Sequence, residues 1–65
     1  MRYDIFKTLK LNKQWIRPCV VIQTGEEGII TQISQSGDGL LVKYHSHGMH
    51  SMQEQWFNYT EIAVW

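Results

Sequence analysis

Gly25-Glu26-Glu27-Gly28-Ile29-Ile30-Thr31-Gln32-Ile33 lies between two further strand-like runs, residues 19–23 and 40–44. Val20, Val21 and Ile22 in the first run are β-branched, which suits a pleated, half-buried surface. Glycines at both ends of the 25–28 segment read as a turn, because glycine tolerates positive φ and lets a second backbone come close. Ile29, Thr31 and Ile33 then fall on one face of the second strand, with Ile30, Gln32 and Ser34 on the other. Ser36-Gly37-Asp38-Gly39 reads as a hairpin, with Asp38-Gly39 supplying the positive-φ pair of a tight turn. Three consecutive strands so joined are the frame of a small β-barrel.

Outward from this frame, the expected strands are residues 19–23, 29–35, 40–46, 51–57 and 61–65. Arg17-Pro18 marks the entry to the first, since proline cannot donate to a ladder. Leu40, Val42 and Tyr44 alternate inward along the third. In the fourth, Glu54 between Met52 and Trp56 breaks the pattern, which a position at the rim or a bulge explains. Asn58-Tyr59-Thr60 reads as a single turn before a last strand in which Ile62 and Val64 point inward. Residues 1–15 are the least legible. Tyr3, Ile5, Leu9 and Leu11 alternate as in a strand, but Phe6 then lies on the wrong face. A short helix capped by Asp4, carrying Ile5, Phe6 and Leu9 on one side and ending at Asn12, accommodates it.

At 65 residues the chain is one domain, an N-terminal helical or irregular segment (1–15) followed by a mainly β barrel (16–65). A domain this small buries only about 60% of its unfolded surface. Cys19 is the only cysteine, so neither an internal disulfide nor a thiolate-rich zinc site can reinforce it. Three Trp, three Tyr and two Phe favour bulky packing or oligomerisation instead. The net charge is zero but segregated. Residues 1–18 hold five cations (Arg2, Lys7, Lys10, Lys13, Arg17) against Asp4, whereas residues 19–65 hold Lys43 against five carboxylates. The two halves complement each other within one chain or between two copies. No apolar run approaches the ~18 residues of a membrane span, and no charged-then-apolar secretory layout opens the chain, so a cytoplasmic location is expected.

The G-x-x-G turn ahead of Gly28-Ile29-Ile30-Thr31, the tight hairpin, the Trp56-bearing strand and the closing Glu61-Ile62-Ala63-Val64 together resemble SH3-like barrels. The resemblance covers about residues 16–65 and is nearest to the KOW and Tudor-like members. It implies a five-stranded barrel and says little about function. Tudor domains hold methylated side chains in aromatic cages, for which Tyr44, Trp56, Phe57 and Tyr59 are available, although Tyr44 and Trp56 read first as core. Type II dihydrofolate reductases are similar in length and strand plan, but their V-Q-I-Y run is here Met52-Gln53-Glu54-Gln55, which keeps only the glutamine. The acidic, tyrosine-rich first loop of signalling SH3 domains is missing.

No enzymatic motif emerges, and neither a cofactor nor a small-molecule substrate is called for. Cys19 reads as a buried small hydrophobe, and Glu26 and Glu27, adjacent in a loop, do not face each other as an acid/base pair. His45, His47 and His50 are a candidate set for Zn²⁺, Cu²⁺ or Ni²⁺, but no carboxylate lies among them to orient the rings, and they read first as a solvated loop. The expected function is a non-enzymatic module that binds a protein partner or a second copy through Trp15, Phe57, Tyr59 and Trp65, with Glu26 and Glu27 favouring a basic partner. The alternative is nucleic-acid binding, with Lys7, Lys10, Lys13 and Arg17 on phosphates and aromatics stacking on bases.

Overall fold

The computed structural model describes residues 1–45 and 51–64. Helix α1 (Tyr3–Asn12) is followed by strands β1 (Pro18–Val21), β2 (Glu27–Ile33), β3 (Gly39–His45) and β4 (Met52–Asn58). A 3₁₀ turn (Tyr59–Glu61) leads into β5 (Ile62–Val64). All neighbouring strands pair antiparallel, in the order β4-β3-β2-β1-β5. The sheet is open. Among the described residues no pairing joins β4 to β5, so the five strands form an antiparallel sheet that is not closed into a barrel, with β4 and β5 at its edges.

Residues 3–12 are helical because Phe6 and Leu9, three apart, form the apolar pair that the fold buries, Phe6 against the core of the sheet. Asp4 is not the cap. Arg2 occupies that position with extended backbone and no capping side chain, and Asp4 sits inside the first turn, where its carboxylate accepts from Arg2 at 3.2 Å. Its negative charge still suits the helix N-terminus. The helix runs through Asn12 and stops where Lys13 enters the left-handed region at φ 55°, its N–H donating to Leu9 O.

β1 begins at Pro18, where no N–H is needed, and is shorter than its apolar run. The chain turns after Val21, whose carbonyl accepts from Gly25 N–H at 2.8 Å and whose N–H donates to Glu26 O at 2.9 Å. Gly25 makes this turn with φ 75°. Gly28 does not belong to it. It lies within β2 opposite Tyr44, where an added Cβ would stand 2.6 Å from Lys43 O and 2.8 Å from Tyr44 Cβ.

A bulge corrects the expected face of β2. Ile30 pairs with Val42 and Gln32 with Leu41, so two residues oppose one at Thr31–Gln32 and the side-chain phase inverts. Ile30 and Ile33 therefore both point into the core, and Ile29 points out. The β2–β3 connection is also not a tight Asp-Gly turn. Positive φ occurs only at Lys13 and Gly25 among the described residues. The loop is instead closed by Ser34, whose N–H donates to Gly39 O and whose Oγ accepts from Gly37 N–H, both at 2.9 Å.

β3 alternates as its sequence requires, with Leu40, Val42 and Tyr44 buried. β4 pairs with it in unbroken register from Gly39↔Asn58 to His45↔Met52. Glu54 is therefore no irregularity: Met52, Glu54 and Trp56 share the solvent side, and neither a bulge nor the rim is involved. Asn58 caps the 3₁₀ turn, its Oδ1 accepting from Thr60 N–H at 3.0 Å while Glu61 Oε2 accepts from Asn58 N–H at 3.0 Å.

The core joins Phe6 of α1 to Cys19, Val21, Ile30, Ile33, Leu40, Val42, Tyr44 and Ile62 of the sheet. Phe6 stacks on Tyr59 with ring centroids 5.0 Å apart, and Tyr3 meets the same ring at 5.7 Å. Lys10 Nζ lies 5.5 Å from the Phe6 centroid and donates to Gly37 O at 3.4 Å. The Met1 amino group donates to Ile62 O. These contacts hold the helix over one side of the sheet and leave the opposite side to solvent.

Candidate protein-binding surface

The solvent side of the sheet can be read from the pairing. Residues directly opposite in an antiparallel pair share a face. Pro18 is opposite Ile29, Ile29 opposite Lys43, and Lys43 opposite Glu54. In the next row Gln32, Leu41 and Trp56 align, and His45 pairs with Met52. The result is an apolar strip of Ile29, Leu41, Trp56 and Met52 around one opposite-charge pair, Lys43 and Glu54. Trp56 is 51% exposed, Ile29 48% and Met52 41%.

Trp56 is positioned by its neighbour as well as by its strand. Its indole leans over Gly39, where a Cβ would come within 3.2 Å of ring atom Cε3. One side of the ring is thereby supported and the rest is free. A large, rigid, half-supported aromatic on a firm sheet suits recognition, because little conformational freedom is lost when a partner covers it.

The sequence assigned the exposed aromatics differently. Trp15, Phe57 and Tyr59 are half-buried and pack against the core. Phe57 lies on the core side of β4, with its ring 5.9 Å from that of Tyr44. Tyr59 is held between Tyr3 and Phe6. Trp65 lies outside the described residues. Tyr44 is core, as read, and its hydroxyl donates to Gln55 Oε1 at 3.0 Å, whereas Trp56 is not core. Tyr44 and Trp56 thus point to opposite sides of the sheet and cannot line one cage. The signal that could have exposed Trp56 was Glu54 itself. A carboxylate two residues away on the same strand marks that face as solvated.

Glu27 is exposed at the start of β2, opposite Val20, while Glu26 is half-buried in the turn. Of the cations, Lys7 and Lys13 are exposed. Lys10 is engaged with Phe6 and Gly37, and Arg17 Nε donates to Gln14 O at 3.2 Å. His45 is exposed at the end of β3, and His47 and His50 lie outside the described residues. No helix of the described residues is long and apolar enough to cross a membrane.

Cys19 is fully buried between β2 and β5, opposite Gly28 and Val64, and burial raises its thiol pKa above the ordinary value. A raised folded-state pKa means the folded form keeps its proton longer. The associated stability is intact below the unfolded thiol's pKa and is lost as pH rises from there through the folded value. Native Cys19 is therefore expected to react with a thiol reagent only at the rate of chain opening, whereas denatured chain reacts at once. Timed labelling read by mass spectrometry checks this, and rapid labelling of native protein counts against a sealed thiol. The chain matches no protein-family model, and comparison with curated proteins and with solved structures finds no match.

Proposed function

We propose that this protein is a non-enzymatic interaction module of the SH3-like class, which binds a protein partner on the solvent side of its sheet. The single observation that carries the reading is Trp56, half exposed on the edge strand β4 beside Leu41, on a face of the sheet that no other described element covers. Large side chains so displayed mark interaction sites more often than scattered apolar residues do. Support for the class comes from the strand order, in which β5 returns to pair with β1, and from the 3₁₀ turn ahead of β5. Lys43 and Glu54 beside the strip supply polar contacts that orient a partner. The buried, unpaired Cys19 suits a reducing compartment, so we place the module in the cytoplasm. Nucleic-acid binding has less to stand on, because Lys10 and Arg17 already have partners within the chain.

The test compares immobilised wild-type chain with Trp56→Ala for the proteins each retains from a lysate of the source cell. Truncating a central interface Trp commonly costs about 2 kcal/mol or more, roughly 30-fold in affinity. A protein held by wild type and lost by the folded variant supports the reading. Identical retention by both overturns it.

A further inference from the structure

Among the described residues nothing pairs with the outer edge of β4. Its seven residues keep continuous register with β3, and of the usual devices that stop an edge from pairing they hold only the charge of Glu54, with no bulge, proline or lysine. Three hydrogen bonds establish which of its backbone groups face outward. Tyr59 N–H donates to Asp38 O at 2.9 Å, continuing the ladder one residue past Gly39↔Asn58. Ser34 N–H donates to Gly39 O, so Gly39 faces β2 and Leu40 faces β4. Asn58 N–H, pointing away from β3, is taken by Glu61 Oε2. Antiparallel ladders alternate. Gln53, Gln55 and Phe57 therefore bond to β3, and the N–H and C=O groups of Met52, Glu54 and Trp56 face the open edge.

We propose that a second copy of this chain covers this edge, β4 pairing antiparallel with β4 about a two-fold axis at Gln55, so that two sheets become one. The proposal rests on the reading of the protein as an interaction module and names one of its partners. The register follows from the strand. A two-fold axis normal to the sheet keeps the solvent faces together, so outward-bonding residues must pair with one another. Centring the axis on Glu54 sets two carboxylates directly opposite. Centring it on Trp56 puts Glu54 against Asn58, whose N–H is already occupied. Centring it on Gln53 pairs only Met52 with Glu54 among the residues of β4. Centring it on Gln55 sets no two carboxylates opposite and confines the occupied Asn58 N–H to the outermost pair, against Met52. Glu54 then exchanges both backbone bonds with Trp56 of the second copy, and Gln53 lies opposite Phe57 of the second copy.

The two Gln55 side chains meet on the axis. Tyr44 Oη already donates to Gln55 Oε1, which retains a second lone pair, and the amide nitrogen has two N–H groups to give. Each Gln55 can thus donate to the other. Self-pairing also addresses the weakness of a 65-residue chain with no disulfide. The apolar strips of the two copies run together across the axis, which enlarges the partner-binding side of the sheet.

The test uses the full chain. Light scattering across micromolar to millimolar concentrations is expected to show a mass rising to twice the 7.7 kDa of one chain. Glu54→Pro removes an outward N–H and no β3 ladder bond, so it is expected to give a folded monomer by circular dichroism and mass. Gln55→Cys is expected to form a covalent dimer under mild oxidation. Opposed residues that do not bond to each other stand with Cα atoms about 4.5 Å apart, within disulfide range. Gln53→Cys is expected to stay uncross-linked. A wild-type monomer throughout, a dimer untouched by a folded Glu54→Pro, or cross-linking at 53 in place of 55 overturns the proposal. If Glu54→Pro does not fold, the contrast between 55 and 53 decides. A monomer that still retains a Trp56-dependent partner overturns the dimer alone. A Gln55→Cys dimer without any such partner overturns the partner-binding reading alone.

Discussion

Phe6→Ala is expected to lower the unfolding free energy by about 3–5 kcal/mol, the usual range for truncating a buried aromatic. Phe6 is only 2% exposed and is the one core residue that ties the helix both to the sheet and to the 3₁₀ turn. Its loss leaves a cavity under α1, unstacks Tyr59 and frees Lys10 from its ring. A chain of this length has a total stability of roughly 3–10 kcal/mol at 0.05–0.15 kcal/mol per residue. The substitution therefore consumes much or all of it. Urea unfolding followed by circular dichroism and by Trp fluorescence gives the measurement. A shift below about 1 kcal/mol would mean that the helix is not docked as described. Phe6→Leu, which refills most of the space, is expected to lose distinctly less.

Gly28→Val is expected to be comparably severe, about 3 kcal/mol or more, at the upper end of the overpacking range. The reason is steric and involves backbone. The first added carbon would lie 2.6 Å from Lys43 O and 2.8 Å from Tyr44 Cβ, and neither can move without separating β2 from β3. Gly25→Ala is the informative partner experiment. A Cβ at Gly25 meets nothing within 4 Å, so only its φ of 75° opposes the change, at about 1–2 kcal/mol. Guanidinium midpoints for the two variants should differ in that order. Equal losses would refute the assignment of Gly28 to close strand contact.

These two positions also show what was legible. Phe6 could be placed from sequence, because it spoils the alternation of Tyr3, Ile5, Leu9 and Leu11 and fits a helix. The inward set of Leu40, Val42 and Tyr44 was equally plain, since β3 is paired on both sides and its phase never changes. The turn at 58–60 announced itself through Asn58, whose side chain caps locally whatever surrounds it. Gly28 was misread as a turn glycine, because the atoms that forbid a side chain there lie some fifteen residues away on β3. The candidate surface was hidden for the same kind of reason. Whether Trp56 or Phe57 points outward depends on the phase of β4 against β3, on which propensity is silent and only Glu54, two residues from Trp56, gives a sign.

Local chemistry, then, accounts for the number and rough extent of the strands and the capped turn before β5, because each is dictated by neighbours within a few residues, whereas residues 3–12, ambiguous alone, are helical with Phe6 packed into the core of the sheet. The bulge at Thr31–Gln32, which sends Ile30 and Ile33 inward together, arises from pairing with Leu41 and is invisible along β2 alone. So too are the space required at Gly28 and the open edge of β4. Each depends on contacts between strands remote in sequence, and one residue of slip in any pairing would exchange the buried face for the exposed one.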